Sequence, residues 1–135
     1  MECDDAFRKY AIEEEKASPT AGCTGIIGYV REGSIFVGSC GDSRAVMGVG
    51  GRTIPMSDDH KPSRPDEKKR IEALGGRVEY GRVGGLLAVS RAFGDFEYKQ
   101  NGKPLVTAKP DVQTMVLTKD ADFIIVACDG CKSNI

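Results

Sequence analysis

The chain reads Phe123-Ile124-Ile125-Val126-Ala127-Cys128-Asp129-Gly130 along one stretch, and this run decides the fold class. Alternate side chains of a β-strand point to opposite faces, and here every residue from Phe123 to Cys128 is apolar. The strand is therefore predicted to be buried on both faces. Antiparallel strands covered on both faces require two packed sheets, so the predicted fold is an α/β (α+β) layered sandwich of two mostly antiparallel sheets flanked by helices.

Further strands, separated by turns that contain glycine, are predicted before this run. Strands are predicted at residues 23–30, 34–40, 44–49, 52–56, 111–117 and 122–128, with shorter pieces within 77–89. The tight connection Gly41-Asp42-Ser43 leads directly from the second strand to the third, and we interpret the first strands as an antiparallel meander. Pro55 cannot donate a ladder hydrogen bond, which places its strand at an edge.

Two helices are predicted. Residues 4–16 carry Phe7, Tyr10, Ala11 and Glu14 at three- and four-residue intervals, which is typical of a short amphipathic helix. Pro65-Asp66-Glu67 opens a second helix and Gly75-Gly76 ends it. We divide the chain into an N-terminal helix and connector at residues 1–20 and one domain at residues 21–135.

Charge and hydropathy argue against nucleic-acid and membrane partners. The formal net charge of −1 arises from 19 basic and 20 acidic residues that are interspersed along the 135-residue chain. No apolar run approaches the roughly 20 residues that cross a bilayer. The N-terminal residues are acidic where a signal peptide would be basic, so a cytoplasmic or nuclear location is expected.

Five cysteines occur without the spacing of a disulfide framework: Cys3, Cys23, Cys40, Cys128 and Cys131. Three of them lie in apolar strand-like runs, and we interpret the set as buried reduced thiols. Cys128-x-x-Cys131 is also compatible with half of a zinc site, although a second pair is missing and His60 is the single histidine.

Two aspartates follow apolar strands. Asp129 comes at the end of the run that defines the fold, and Asp42 follows the strand that ends at Cys40. A buried strand-end carboxylate needs a compensating charge, and a divalent cation is the strongest. The alternative for Asp129 is a helix cap and for Asp42 a turn residue. Together they indicate a shared acidic site suited to Mg²⁺ or Mn²⁺.

Six sequence blocks occur in the order of a known family. They are Ala21-Gly22-Cys23-Thr24, Gly41-Asp42-Ser43-Arg44-Ala45, Ser57-Asp58-Asp59-His60-Lys61-Pro62, the segment 67–76, Gly85-Leu86-Leu87-Ala88-Val89-Ser90-Arg91-Ala92-Phe93-Gly94-Asp95 and Ala127-Cys128-Asp129-Gly130. From Ala21 to Gly130 the chain is similar to the PP2C (PPM) metal-dependent protein serine/threonine phosphatases. The resemblance implies that family's pair of antiparallel sheets flanked by helices, here incomplete at both ends.

The resemblance also implies a chemistry. Two Mn²⁺ or Mg²⁺ ions would activate a water that attacks the phosphorus of phosphoserine or phosphothreonine in protein substrates. On this resemblance Asp129 is a core metal ligand, and Asp42 matches an aspartate associated with a further, weaker metal. Arg91 and Asp95 are expected to form a buried pair, and His60 is expected to be structural rather than catalytic.

No catalytic residue is assigned, since the family's opening, with its acid histidine and phosphate-binding arginine, has no counterpart in residues 1–20. We therefore expect little phosphatase activity from these 135 residues alone. The alternative is a non-catalytic module that binds phosphoproteins or a regulator. Unpaired sheet edges are expected to lead either to association with another chain or to a partly molten monomer.

Overall fold

Two antiparallel three-stranded sheets form the centre of the computed structural model, which describes residues 2–13, 16–100 and 102–132. In chain order the elements are helix α1 (Glu2–Arg8), a π-helical segment (Lys9–Glu13), strands β1 (Gly22–Cys23), β2 (Gly25–Arg31), β3 (Ser34–Cys40), β4 (Arg44–Val49) and β5 (Arg52–Pro55), helix α2 (Pro65–Ala73), strands β6 (Val78–Glu79), β7 (Arg82–Val83) and β8 (Phe93–Gly94), a 3₁₀ turn (Phe96–Tyr98), strands β9 (Asp111–Val116) and β10 (Ala121–Ala127), and helix α3 (Asp129–Lys132).

The first sheet has the order β2-β3-β9 and the second the order β10-β4-β5. Their inner faces meet around a core of buried residues, Ile35, Val37, Ala45, Met47 and Met56. Gly28 of β2 faces the opposite sheet, where a Cβ would be in ordinary contact with Ile124 Cδ1 and Val126 Cγ2, at 3.9 Å from each. The predicted layered sandwich of antiparallel sheets is confirmed.

Strand β10 is not buried on both faces, so that part of the prediction is wrong. Ile124 packs against the core. Phe123 and Ile125, on the other face, are 56% and 52% exposed. β10 lies at the edge of its sheet, and no described residue covers this outer face. Apolar residues on both faces of the strand predicted that both faces would be buried, but the described residues cover only one of them.

The predicted meander is also wrong, because the chain changes sheets between β3 and β4. β3 pairs with β2 and β9, whereas β4 pairs with β5 and β10. Gly41 makes the corner with φ +105°, and a Cβ there would lie 2.3 Å from Thr24 Cγ2. The short connection is therefore a crossing between layers, and only glycine fits it.

The two predicted helices form beside the sheets. α2 begins at Pro65 as predicted, and Gly75 follows it with φ +85°. Its Ile71 packs in a second core cluster with Val83, Ala92 and Val106. In α1, the ring of Phe7 packs against that of Phe96 in a tilted arrangement, with ring centroids 5.4 Å apart. Glu14 of the predicted face lies outside the described residues.

Most of the thiols are accessible, which corrects the prediction of buried cysteines. Cys40 is buried, but Cys3, Cys23, Cys128 and Cys131 are exposed. Cys23 and Cys128 stand at or beside the ends of strands, where apolar sequence does not guarantee cover. Within the described part of the chain, no helix combines the length and apolarity needed to span a bilayer.

Candidate functional site

The register of the second sheet brings both predicted metal ligands to one end of it. Ala127, the last residue of β10, pairs with Arg44, the first residue of β4. Asp129 follows that pair by two residues along one strand, and Asp42 precedes it by two along the other. The chain segments that carry the two carboxylates therefore leave the sheet at the same edge.

Carboxylates are suitable ligands for a hard cation, but two of them are few for a metal site. Asp42 forms an ion pair with Lys61 Nζ, and Asp129 is exposed in the first turn of α3. Among the described residues, no group of three or more His, Cys, Asp or Glu side chains is close enough to hold an ion. Oxygen donors at one sheet edge fit Mg²⁺ or Mn²⁺, which fill their remaining positions with water and substrate phosphate.

The segment Ser57-Asp58-Asp59-His60-Lys61 holds the corner that carries Asp42. Ser57 Oγ accepts a hydrogen bond from Ala45 N at 2.8 Å. Asp59 binds both Nε and Nη2 of Arg44, at 3.2 and 2.9 Å. This block therefore runs beside residues 41–45 and fixes the position of the strand end.

His60 fills the centre of this contact and is fully buried. Its backbone N donates to Gly41 O at 2.9 Å, and its ring Nδ1 lies 3.1 Å from Gly41 N. Its Nε2 lies 3.1 Å from Asp111 Oδ2, and its carbonyl accepts from Ser90 Oγ at 2.9 Å. Every polar atom of His60 is thus used to join three segments, which accords with the structural role expected for it.

A buried ion-pair network lies next to His60 and is centred on Glu67, whose side chain is 2% exposed. Glu67 Oε1 accepts from Arg91 Nη2 at 2.7 Å, and Oε2 accepts from Arg70 Nη2 at 2.8 Å. Arg91 Nη1 also donates to Asp111 Oδ1 at 2.7 Å. The network ties α2 to the segment before β8 and to the start of β9.

Burial alone would raise the pKa of Glu67, but hydrogen bonds from Arg91 and Arg70 lower it to about 2. Asp111 behaves in the same way, because contacts with His60 and Arg91 outweigh its burial and lower its pKa to about 2. Both carboxylates are therefore held ionised by neighbouring cations. Their charge is already compensated, which makes them poor candidates for metal ligands.

The expected pair of Arg91 with Asp95 does not form. Arg91 binds Glu67 and Asp111 instead. Asp95 adopts φ +50° and lies against β1, where a Cβ at Gly22 would be 2.2 Å from Asp95 Oδ2. Burial raises the pKa of Asp95. Three residues separate Arg91 from Asp95, and two of them form β8.

The sequence pattern did not identify Glu67 and Asp111 as partners of Arg91. A signal for Glu67 was available, because it shares the helical spacing of Ile71 and Leu74 and so lies on the apolar face of α2. An acidic residue on a buried face requires a cation. Nothing in the pattern pointed to Asp111, which meets Arg91 only through the tertiary fold.

Comparison with known families and sequences gives a consistent result. The family model for protein phosphatase 2C matches residues 1–131. A probable protein phosphatase 2C of Caenorhabditis elegans is 47% identical over 135 residues, covering 96% of this chain and 37% of the relative. Protein phosphatase 2C homolog 2 of Hypocrea jecorina is 45% identical over 129 residues, with 90% and 29% coverage. The chain thus spans about a third of these relatives.

Solved structures share the fold. The serine-threonine phosphatase 2C of Toxoplasma gondii superimposes with a TM-score of 0.84 at 28% identity, over 99% of this chain and 49% of that one. A sex-determining protein of C. elegans also gives 0.84, at 23% identity and over 98% of this chain and 32% of its own, which shows a common fold alone.

Proposed function

Since this chain belongs to the protein phosphatase 2C family, we propose that it is part of a metal-dependent phosphatase acting on phosphoserine and phosphothreonine in proteins. The observation that carries the proposal is the pairing of Ala127 with Arg44, because it brings the segments of Asp129 and Asp42 to one edge of the sheet. Phosphoprotein substrates and a cytoplasmic or nuclear location are part of the proposal.

Asp129 is proposed as a ligand of Mn²⁺ or Mg²⁺ at a two-metal centre, and Asp42 as a ligand of a further, weaker ion. When bound, such ions acidify a water and neutralise charge on the transferring phosphoryl group. The chain's own part is to supply carboxylate oxygens at a fixed place. Lys61, paired with Asp42, balances that carboxylate when no cation is bound.

Two contacts support the position of this edge. The Arg44–Asp59 pair and the buried His60 hold residues 41–44 against the segment that follows β5. The Glu67–Arg91 pair fixes that segment indirectly, because Ser90, next to Arg91, donates its backbone N–H to His60 O at 2.9 Å. A rigid support of this kind keeps strand-end ligands within reach of an ion.

The activity is tested with a phosphothreonine peptide and millimolar Mn²⁺, with release of phosphate as the readout. Alone, the 135-residue chain is expected to give little turnover, because it spans about a third of its relatives' length. The matched comparison is Asp129→Ala against Asp122→Ala, a second exposed aspartate. Turnover that depends on Asp129 but not on Asp122 would contradict the expected inactivity and support the site.

A second candidate function is a non-catalytic binding module, and the exposed outer faces of the sheets favour it. Ile27 is 71% exposed, Val112 63% and Phe123 56%. Such apolar faces and the edge strands β2 and β10 are proposed to associate with another chain. Mn²⁺ titration separates the candidates: binding lost in Asp129→Asn supports the phosphatase site, whereas partner capture indifferent to that change supports the module.

A further inference from the structure

The two cysteines of the motif Cys128-Asp129-Gly130-Cys131 stand at a strand-to-helix turn and, unlike Asp129 between them, are not used by the proposed function. Cys128 follows β10, and Cys131 lies in the single turn of α3. Both thiols are exposed. Of the five cysteines, Cys40 is buried, and Cys3 and Cys23 are far apart in sequence. The motif is therefore a local pair of accessible thiols.

The backbone brings the two cysteines close. Cys131 N donates to Cys128 O at 3.2 Å, which closes a four-residue turn. The end Cα atoms of such a turn lie within about 7 Å of each other, and a disulfide spans about 4.4–6.8 Å between Cα atoms. The distance across the turn is therefore of the size that a disulfide bridges.

The side chains also permit closure. Cys128 Sγ lies 4.0 Å from the place that a Cβ would occupy at Gly130, within the turn. The sulfur therefore lies toward the turn that leads to Cys131. Cβ atoms three residues apart on a helix are about 5–6 Å apart, and a disulfide needs about 3.5–4.5 Å. Gly130, which is conformationally permissive, lies between them and can absorb the adjustment.

We propose that Cys128 and Cys131 form a reversible intrachain disulfide by exchange with a small-molecule disulfide such as glutathione disulfide. One thiolate attacks a glutathione sulfur, forms a mixed disulfide and releases one glutathione thiolate. The second thiolate attacks the protein-side sulfur of that bond and releases the second glutathione. The pair loses two electrons and two protons, and glutathione disulfide becomes two thiols.

The closed ring contains Asp129, so oxidation restrains the turn that carries the proposed metal ligand. Closure itself does not depend on that role. The second thiol is held near the mixed disulfide, so its attack is intramolecular and favoured over capture of another glutathione. Cys3 and Cys23 have no cysteine three residues away in the sequence, and Cys40, the thiol near Cys23, is buried. Cys3 and Cys23 are therefore expected to stop at mixed disulfides.

The test equilibrates the full chain with increasing ratios of glutathione disulfide to glutathione, in the presence of a metal chelator, and then alkylates the remaining thiols. Trypsin releases residues 120–132, a peptide that contains Cys128 and Cys131 and no other cysteine. In its oxidised form this peptide is expected to carry no alkyl group and to be two hydrogen atoms lighter than the unalkylated dithiol peptide. This change is expected at a ratio at least about tenfold lower than the ratio that loads Cys3 or Cys23 with glutathione.

Two variants complete the test. In Cys131→Ser the same peptide is expected to carry one glutathione on Cys128, since the resolving thiol is gone. In Cys3→Ser/Cys23→Ser closure is expected to be unchanged. The proposal is overturned if residues 120–132 keep both thiols while Cys3 and Cys23 are loaded, or if Cys128 is found linked to Cys3 or Cys23. Neither outcome bears on Mn²⁺ binding by Asp129, which is measured separately on the reduced chain.

Discussion

Two acidic regions of this molecule use the same chemistry in opposite ways. At the network around α2, Glu67 is 2% exposed and receives hydrogen bonds from Arg91 and Arg70. At the edge of the second sheet, Asp129 is exposed and Asp42 pairs with the half-exposed Lys61. In the first region the carboxylate charge is balanced by two arginines, whereas the second region presents carboxylate oxygens to solvent.

The difference separates a structural carboxylate from a candidate ligand. A buried carboxylate bound by two guanidinium groups cannot release them without a large loss of stability. A strand-end carboxylate paired with a flexible, half-exposed lysine can exchange that lysine for a metal ion at small cost. Burial and the kind of partner, rather than the presence of acidic residues, therefore distinguish the two regions.

The largest loss of stability is expected for Glu67→Gln, which tests whether the buried carboxylate is structural. The change removes the buried anion that Arg91 and Arg70 share, which leaves Arg91 with Asp111 alone, and about 3–5 kcal/mol of stability is expected to be lost. Urea unfolding followed by circular dichroism measures it. The matched control is Glu72→Gln on the same helix, where the partner Lys68 and Glu72 are both 50% exposed. A loss below about 1 kcal/mol for Glu67→Gln would contradict the structural role.

Acid is expected to act on the same region. The pKa of Glu67 falls from 4.5 to about 2 on folding. A depressed pKa stabilises the folded chain fully above pH 4.5, and this contribution is lost as the pH falls toward 2. The contribution is on the order of 3 kcal/mol. Urea midpoints measured from pH 6 downward are expected to fall less steeply in Glu67→Gln than in the unchanged chain, and parallel curves would show the shift to be wrong.

Lys61→Met tests the exposed region. The Lys61–Asp42 pair is 45% and 25% exposed, so its loss is expected to cost about 0.2–1 kcal/mol. The same change removes a cation that competes for Asp42, and Mn²⁺ affinity is expected to stay equal or increase. Isothermal titration gives the affinity, and urea unfolding gives the stability. Weaker Mn²⁺ binding in Lys61→Met would mean that Lys61 supports the ion instead of replacing it.

The smallest effect on stability is expected for Asp129→Asn. Asp129 is exposed in a single-turn helix, so the substitution should change the free energy of unfolding of the chain by less than about 0.5 kcal/mol. Mn²⁺ affinity should nevertheless drop by about tenfold or more. Measured beside Glu67→Gln, this variant sharpens the contrast between stability and binding. A large loss of stability without loss of Mn²⁺ binding would mean that Asp129 is a structural carboxylate and not a metal ligand.

Much of the fold could be predicted from local pattern. The helix opened by Pro65, the edge strand that contains Pro55 and the strands on either side of Gly33 all follow from residue chemistry at their own positions. The six blocks also identified the family, which the family model matches over residues 1–131. The assignment of Asp129 and Asp42 as metal ligands stays a prediction.

The predictions that failed all required knowledge of distant neighbours. Apolar side chains at Phe123 and Ile125 could not reveal that nothing in the described chain covers them. Gly41 could equally have ended a hairpin or a crossing between sheets. The partner of Arg91 could not be read from Asp95, which is near in sequence, because Glu67 and Asp111 reach it through space.

Periodicity and turn residues, which act within a few positions, determined the strands, the helices and the strand-end position of the acidic residues. Tertiary structure alone decided which acid meets a guanidinium and which faces solvent. The reason is physical, because backbone preferences are local, whereas the charge state and burial of a carboxylate depend on groups from anywhere in the chain. The ion pair of Asp111 with Arg91 is an example.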